Sequence, residues 1–230
     1  MPVAGVVGRD REMAAVAAFL DALPSGPCGL VLEGPAGIGK TTLWRAGAAQ
    51  AAGRSYTVLS CRPAESEATL SFAALGDLLD GVLDQALPRL PTPQRRALEV
   101  ALLMEDPAGS PPEQRAVCVA FLAILRHLSE SGPVVVAVDD LQWLDDPSAR
   151  VLEFALRRLR GEPAGLLASA RDPGDVRRAA STGLPAERLT RLQVGPLTFA
   201  AFQSAVRATA GSELSLLTIR RLFDLSLIHI

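Results

Sequence analysis

Lysine is almost absent from this chain. Of the 23 basic residues among 230, only Lys40 is a lysine, and all the others are arginines. Lysine carries its charge as a compact ammonium on a flexible stem, whereas arginine presents a planar guanidinium fork. A sequence that uses arginine everywhere else and lysine once indicates that position 40 needs a compact cation.

Cysteine, histidine and long apolar runs are also scarce. Cys28, Cys61 and Cys118 are far apart and form no C-x-x-C pair, which argues against a disulfide framework or a zinc site. His127 and His229 are isolated, so we do not expect them to bind a metal. No apolar run reaches the ~18 residues of a membrane span, and the N-terminus lacks the basic and apolar stretches of a signal peptide. We therefore expect a cytoplasmic protein without membrane contact.

The overall charge is nearly balanced, with a net charge of −2 and a pI near 5.8. No strongly basic field is available to attract nucleic acid, so we do not expect this chain itself to bind DNA. Apolar residues make up 49% of the chain, which excludes global disorder and allows a large core. The length suits one α/β domain and part of a second.

Residues 34–41 (GPAGIGKT) match the pattern G-x-x-x-x-G-K-[ST]. An apolar segment that predicts a short strand precedes them, and a segment that predicts a helix follows. A loop in this position directs backbone N–H groups and a helix N-terminus at one anion, and its glycines permit a positive φ. The pattern predicts that Lys40 contacts the β- and γ-phosphates of a nucleotide and that the Thr41 hydroxyl binds Mg²⁺. The predicted nucleotide-binding residues are Gly34, Pro35, Ala36, Gly37, Ile38, Gly39, Lys40, Thr41 and Thr42.

Strand and helix patterns alternate along the chain, which predicts an α/β three-layer sandwich with a mainly parallel five-stranded sheet. Short apolar segments predict strands over residues 29–33, 55–61, 133–138, 164–170 and 189–194. Helical spacing predicts helices over residues 11–23, 42–50, 71–87, 94–104, 113–129, 146–160, 198–208 and 214–224. Asp146 is the expected N-cap of the helix that starts with Pro147.

The predicted strand over residues 133–138 ends in Asp139 and Asp140. An acid at the carboxyl end of a buried strand lies where open α/β sheets bind ligands. We expect Asp139 to hold Mg²⁺ and Asp140 to act as the base that activates water, although two acids in an ordinary turn remain an alternative. Arg171, which follows the next strand, is either a γ-phosphate sensor or a surface arginine. Gly8 and Arg9 either contact the nucleotide or cap the first helix.

The chain resembles a known family through four segments that occur in this order: Gly8-Arg9-Asp10, GPAGIGKTTLW, VVVAVDDLQWLDDPSA and LLASARD. It is similar to the ATPase module of large ATP-binding regulators of the LuxR type, which belong with the signal-transduction ATPases with numerous domains, relatives of AAA+ proteins. The resemblance implies that residues 34–42 bind the triphosphate, Asp139 serves Mg²⁺, Asp140 activates water and Arg171 senses the γ-phosphate. It also implies an ATP/ADP switch that self-associates with ATP and binds DNA only through a C-terminal helix-turn-helix outside this sequence.

The resemblance also implies a domain organisation. Residues 1–195 are the expected ATPase core, with a helical insertion at 71–129, and residues 196–224 begin a helical lid. Residues 225–230 (LSLIHI) resemble the translation of a sequencing adapter and are expected to be an artefact. Three other functions share many of these features: a stand-alone AAA+ ATPase of the origin-binding or loader kind, a P-loop transferase, and a nucleotide-bound module that does not hydrolyse ATP.

Overall fold

The computed structural model describes residues 6–107, 112–171, 182–210 and 215–228. The strands are β1 (Gly29–Glu33), β2 (Thr57–Cys61), β3 (Val134–Val138), β4 (Ala164–Ala170) and β5 (Leu189–Gln193). The helices are α1 (Asp10–Ala22), α2 (Lys40–Gly53), α3 (Ala73–Leu79), α4 (Leu83–Ala86), α5 (Thr92–Ala101), α6 (Gln114–Ser129), α7 (Asp146–Leu156), α8 (Phe199–Ala210) and α9 (Leu216–Ile228).

All five strands form one sheet in the order β2-β3-β4-β1-β5, and every neighbouring pair is parallel. The predicted five-stranded sheet is confirmed, and it is wholly parallel. Because the strands are parallel, the loops that follow β1, β2, β3 and β4 all leave the same edge of the sheet. This edge carries the phosphate loop, Arg62, the pair Asp139–Asp140, and Arg171.

Helices cover both faces of the sheet, which gives the predicted three layers. Along β3, Val134, Val136 and Val138 face one core, into which helices α3, α5, α6 and α7 pack. Val135 and Ala137 face the opposite core, against α1 and α2. Both faces of β1, β3 and β4 are buried, which explains their mainly apolar sequences.

The prediction of one continuous helix over residues 71–87 was wrong. Helix α3 ends at Leu79, and the short helix α4 begins only at Leu83. The backbone of Asp80 leaves the helical region with ψ 134°, and Gly81 has φ +79°. Glycine adopts this left-handed conformation at little cost and commonly ends helices, so the break is encoded at Gly81. The apolar spacing hides the break because both helices bury the same side.

The N-cap of α7 was also assigned one residue too late. Asp145, not Asp146, is the N-cap, and its carboxylate accepts a hydrogen bond from the Ser148 amide at 2.9 Å. Pro147 therefore occupies the second helical position, and α7 ends at Leu156 rather than at 160. The remaining predicted ends differ by a few residues, as at β2, which begins at Thr57 rather than 55. Within the described residues, no helix is both long and apolar enough to span a bilayer.

Candidate functional site

The phosphate loop curls between the end of β1 and the start of α2. Gly34 has φ +153°, and a Cβ atom there would lie 2.9 Å from the Val194 carbonyl oxygen, so the backbone approach requires glycine. Gly39 has φ +105° and immediately precedes α2. The loop therefore brings its amides and the N-terminus of a 14-residue helix to one side, which is the geometry that binds anions.

Lys40 is the first residue of α2 and is only 6% exposed. Its Nζ donates hydrogen bonds to the carbonyl oxygens of Gly34 at 2.8 Å and Pro35 at 2.9 Å, so the ammonium lies within the curve of the loop. Burial lowers the pKa of Lys40 from its usual value, and the nearby carboxylate of Asp140 opposes that shift. The ammonium has three N–H donors and uses two of them in these bonds, so the third is available to an anionic ligand.

Asp139 follows β3 directly and is 2% exposed. Its Oδ1 accepts hydrogen bonds from the Ser169 hydroxyl at 2.6 Å and from the Thr41 hydroxyl at 3.3 Å. These contacts join the ends of β3 and β4 to the start of α2. The structure thus brings Thr41 and Asp139 together, as the proposed metal site requires.

The chemistry of these two side chains fits Mg²⁺. The ion prefers hard oxygen ligands, keeps several waters, and is usually held by one or two carboxylates together with phosphate oxygens. A carboxylate and a hydroxyl 3.3 Å apart at the phosphate loop provide such a partial site. The described residues contain no group of three or more His, Cys, Asp or Glu side chains that could hold a metal.

Arg62 also reaches this carboxylate, which the sequence did not predict. It follows β2, and its Nε lies 3.4 Å from Oδ2 of Asp139. The arginine side chain is 55% exposed whereas the aspartate is 2% exposed. Because the guanidinium is half in solvent, water can replace Asp139 on the arginine side of this contact, whereas the buried carboxylate needs another partner.

Asp140 has a left-handed backbone, with φ 57° and ψ 61°. Its amide donates to the Ser169 hydroxyl at 2.8 Å, and its Oδ1 accepts from Nε2 of Gln142 at 2.7 Å. Nε of Arg171 lies 3.9 Å from the same carboxylate oxygen. The Arg171 guanidinium also lies over the Trp143 ring, 5.3 Å from its centroid. The predicted base and the predicted sensor are therefore in contact.

A cavity of about 270 Å³ opens in front of α2. Its walls are Ala36, Gly37, Gly39, Lys40, Thr41, Thr42, Asp140 and Arg171. This volume is below the ~300–1,000 Å³ of sites that enclose a whole small molecule. It matches the phosphate end of a nucleotide better than a complete one. The predicted residues Gly34, Pro35 and Ile38 belong to the same loop but do not line the cavity.

Arg9 and Gly8 lie behind the loop instead of in the cavity. Arg9 is 5% exposed, and its guanidinium donates to the carbonyl oxygens of Ile38 at 2.7 Å and Gly195 at 2.6 Å and to Glu12 at 2.9 Å. Gly8 packs on α8, where an added Cβ would meet Ala201 Cβ at 2.1 Å. Arg9 occupies the N-cap position of α1 without a side-chain capping bond. Nucleotide contact by these two residues stays a prediction.

Ser169 and Arg62 are the site residues that the sequence left unnoticed. Ser169 is fully buried, and its single hydroxyl contacts both Asp139 and Asp140. One signal could have found it, because it is the only polar residue in the buried strand AGLLASA and lies near the strand's carboxyl end. No comparable signal distinguishes Arg62 from the many other arginines.

Comparison of the sequence with known protein families identifies the family of this chain. Residues 5–167 match the family model of the AAA ATPase domain. The chain belongs to the AAA ATPase domain family. An uncharacterised protein of Rhizobium meliloti (strain 1021) is 28% identical over 231 residues, covering 88% of this chain and 22% of the relative. This chain thus spans about a fifth of the length of that curated relative.

Solved structures share the fold of this AAA ATPase module at low sequence identity. The ORC2 protein of Aeropyrum pernix, in ADPNP–ADP complexes, has a TM-score of 0.55 and 19% identity, covering 95% of this chain and 55% of that one. CDC6P of Pyrobaculum aerophilum has a TM-score of 0.57 and 13% identity, covering 90% of this chain and 51% of that one. These likenesses establish the P-loop NTPase fold of the AAA+ type, and both relatives are about twice as long as the shared region.

Proposed function

We propose that this AAA ATPase module binds ATP with Mg²⁺, hydrolyses it slowly, and acts as the regulatory switch of a LuxR-type helix-turn-helix transcription regulator. The observation that carries the switch is Arg9, whose guanidinium donates to carbonyl oxygens of both the phosphate loop (Ile38, 2.7 Å) and Gly195 (2.6 Å), the last residue before the following helical segment. Any shift of the loop on nucleotide exchange changes this buried contact. The nucleotide state is thereby linked to residues 196–224, the proposed lid.

The proposed reaction is in-line attack of water on the γ-phosphate. Lys40 and the loop amides stabilise the negative charge that develops on the phosphate oxygens. Asp140 orients the water and accepts its proton, after exchanging its bond from Gln142 for the water. Arg171 turns from Asp140 towards the γ-phosphate. Mg²⁺, held through Asp139 and Thr41, adds charge neutralisation when bound. Slow turnover is sufficient, because hydrolysis resets a conformation.

Binding is tested with Lys40→Ala in a titration with fluorescent mant-ATP. Loss of a charge-assisted contact of about 3 kcal/mol weakens affinity by at least about 100-fold, which abolishes binding at ordinary concentrations. Arg45→Ala, on the exposed side of the same helix, is the matched control and is expected to bind normally. Unchanged affinity in Lys40→Ala would reject the site.

Hydrolysis is tested separately with Asp140→Asn. The amide keeps the size and the bond partners of Asp140 but cannot accept a proton, so mant-ATP affinity is preserved while phosphate release falls by about 10²–10⁴-fold. Single-turnover phosphate release is the appropriate readout for a slow enzyme. If this variant hydrolyses ATP at the wild-type rate, Asp140 is not the catalytic base. No turnover in the wild type favours the non-hydrolysing module.

The switch is tested with Arg9→Lys, which keeps the charge but loses the fork that reaches both carbonyl oxygens. We measure hydrogen exchange of α8 with ATP and with ADP. The wild type is expected to show a difference between the two nucleotides, and Arg9→Lys is expected to lose most of it while still binding mant-ATP. Arg11→Lys, an exposed change on α1, is the control. If Arg9→Lys and Arg11→Lys show the same difference in hydrogen exchange between ATP and ADP, Arg9 has no part in the switch.

The regulatory context is tested on the parent gene. Sequencing source DNA beyond the Asp224 codon is expected to reveal a continuing frame without LSLIHI, which leads to helical repeats and a helix-turn-helix. DNA binding is assigned to that missing part, and the ATP-bound form is expected to self-associate in the cytoplasm. The alternative, a loader ATPase, requires an arginine finger acting in trans and a complete lid with its own sensor arginine, neither of which can be assigned in this sequence. Likeness to the loader-type structures at 13–19% identity shows the fold alone. If the source DNA encodes LSLIHI followed by a stop codon, the proposal of a LuxR-type regulator is rejected.

A further inference from the structure

A second cavity is lined by residues 70–104 and lies apart from the phosphate loop. It has a volume of about 770 Å³ and is walled by α3, the turn before α4, and the end of α5. This volume falls within the ~300–1,000 Å³ of small-molecule sites. Its apolar rim is accessible, with Leu70 56%, Leu103 91% and Met104 54% exposed. Adjacent exposed apolar side chains at the mouth of a cavity commonly mark a binding site.

The backbone at this rim is unusual. Leu103 adopts φ +58°, a left-handed conformation in which glycine or asparagine is usual at a helix end. Hydrogen bonds from the Leu103 amide to Val100 at 3.1 Å and from the Met104 amide to Glu99 at 2.8 Å hold the turn. A bulky residue kept in a strained conformation with its side chain exposed suggests that the position has a function beyond folding.

The opposite wall is preorganised by buried hydrogen bonds. The amide of Phe72, which lines the cavity, donates to Asp145 at 2.9 Å, and the Leu75 amide donates to the Ser148 hydroxyl at 3.0 Å. Phe72 is 7% exposed, so its ring is fixed by packing. A wall that is already ordered reduces the entropy lost when a ligand binds.

The charged side chains that line the cavity are acidic. Asp80 and Asp84 both line it, and both are exposed. Burial, with added repulsion from Glu67 and Asp80, raises the pKa of the neighbouring Asp77. Residues 63–88 contain five acidic residues and no lysine or arginine. The cavity therefore offers apolar walls beside two negatively charged side chains.

We propose that this cavity, the acidic groove formed by α3, the turn at 80–84 and the end of α5, binds a small apolar organic cation such as a protonated amine. The two carboxylates select the positive charge, and the leucine, methionine and phenylalanine side chains cover the apolar body. Anionic ligands are repelled, and neutral apolar ligands leave both carboxylates unpaired. The inference does not depend on the nucleotide site, because the two cavities share no residue.

The test uses the full chain and two fluorescent probes. Dansylcadaverine has an apolar ring system with a protonated amine, and its N-acetylated form is the same molecule without the charge. Saturable enhancement of dansyl fluorescence is expected for the amine, with the acetylated form bound about three- to tenfold more weakly, as expected for two partly exposed charge contacts. Saturating ATP is expected not to displace the amine. Absence of saturable amine binding, or equal affinity for both probes, overturns the proposal.

Variants locate the binding in this groove. The pair Asp80→Asn with Asp84→Asn reduces amine affinity to that of the acetylated probe, while Leu103→Ser weakens both probes. Leu217→Ser, which alters a leucine that is 71% exposed on α9, is the matched control and leaves both affinities unchanged. All four positions are exposed, so equal urea midpoints are expected. Unchanged binding in the Asp and Leu103 variants rejects the groove. An amphipathic Leu/Arg peptide is tested in the same way. If it binds much more tightly than the amine and the same variants abolish its binding, the ligand of the groove is a helix and the small-cation proposal is overturned.

Discussion

Asp145 allows a demanding test of how the helical segment is attached to the sheet. This carboxylate is 2% exposed and accepts backbone hydrogen bonds from Ser148 at 2.9 Å, Phe72 at 2.9 Å and Ala74 at 3.2 Å. One side chain thus caps α7 and also holds the start of α3, more than 70 residues away in the sequence. Asp145→Ala leaves three amides without their acceptor.

The magnitude follows from these three bonds. Loss of the cap costs about 1 kcal/mol, and each of the two further buried amides costs about 1–3 kcal/mol, so Asp145→Ala is expected to lower the free energy of unfolding by about 3–7 kcal/mol. A domain has only about 5–15 kcal/mol in total, so this variant is close to unfolding. Asp145→Asn keeps one acceptor oxygen, and we expect it to lose about half as much.

The assay is urea unfolding followed by far-UV circular dichroism. Glu113→Ala is the matched control, because Glu113 occupies the N-cap position of α6 but makes no side-chain capping bond. The free energy of unfolding of this control is expected to stay within about 0.5 kcal/mol of the wild-type value. If Asp145→Ala does not fold, Asp145→Asn gives the result, with faster hydrogen exchange at Ala74. A loss below about 1 kcal/mol in Asp145→Ala refutes the three-bond attachment.

Three further predictions concern single side chains. Ser169→Ala removes the hydroxyl that contacts both Asp139 and Asp140. We expect mant-ATP affinity to fall about tenfold in the presence of Mg²⁺ and to change little without it. Equal losses of affinity in both conditions would contradict this expectation. Arg62→Ala frees one oxygen of Asp139 and is expected to lower the half-saturating Mg²⁺ concentration about two- to threefold, whereas Arg62→Lys keeps it near wild type. Burial alone would raise the pKa of Glu162, but backbone amide bonds and the Arg126 guanidinium outweigh it and lower the pKa to about 2. A depressed folded-state pKa stabilises above the unfolded value of about 4.5, so Glu162→Gln is expected to be less stable than wild type at pH 7, and the gap should close as pH falls towards 2. A gap that is independent of pH would assign the effect to packing.

Local sequence patterns predict the strands better than the helices. The bounds of β1 and β4 match the prediction fully, because strands buried on both faces are mainly apolar and here are followed by Gly34 and Arg171. The break at Gly81 was missed, because apolar spacing continues through it. The strand order β2-β3-β4-β1-β5 depends on pairings between distant segments, and no local pattern contains that information.

The same distinction explains the site. The shared position of Lys40, Thr41 and Asp139 at one edge of the sheet could be predicted, because two belong to a contiguous motif and the third ends a buried strand. Their roles in binding stay predictions. Ser169 could not, because its role exists only once β4 lies next to β3 and places the hydroxyl 2.6 Å from Asp139. Arg62 acquires its contact in the same way, through the pairing of β2 with β3. Residues that act through neighbours on other strands carry no signature of their own.

Arg9 joins the phosphate loop to the chain segment that leads into α8. Its guanidinium is buried, and two of its contacts are carbonyl oxygens on separate segments, Ile38 and Gly195, at 2.7 Å and 2.6 Å. A buried guanidinium that loses one acceptor is costly unless another replaces it, so the two segments must move together or exchange partners in one step. Gly8 adds to this constraint, because its missing Cβ leaves only enough room for Ala201 of α8. The proposed switch therefore predicts that a small displacement of the phosphate loop reaches α8 through two adjacent residues.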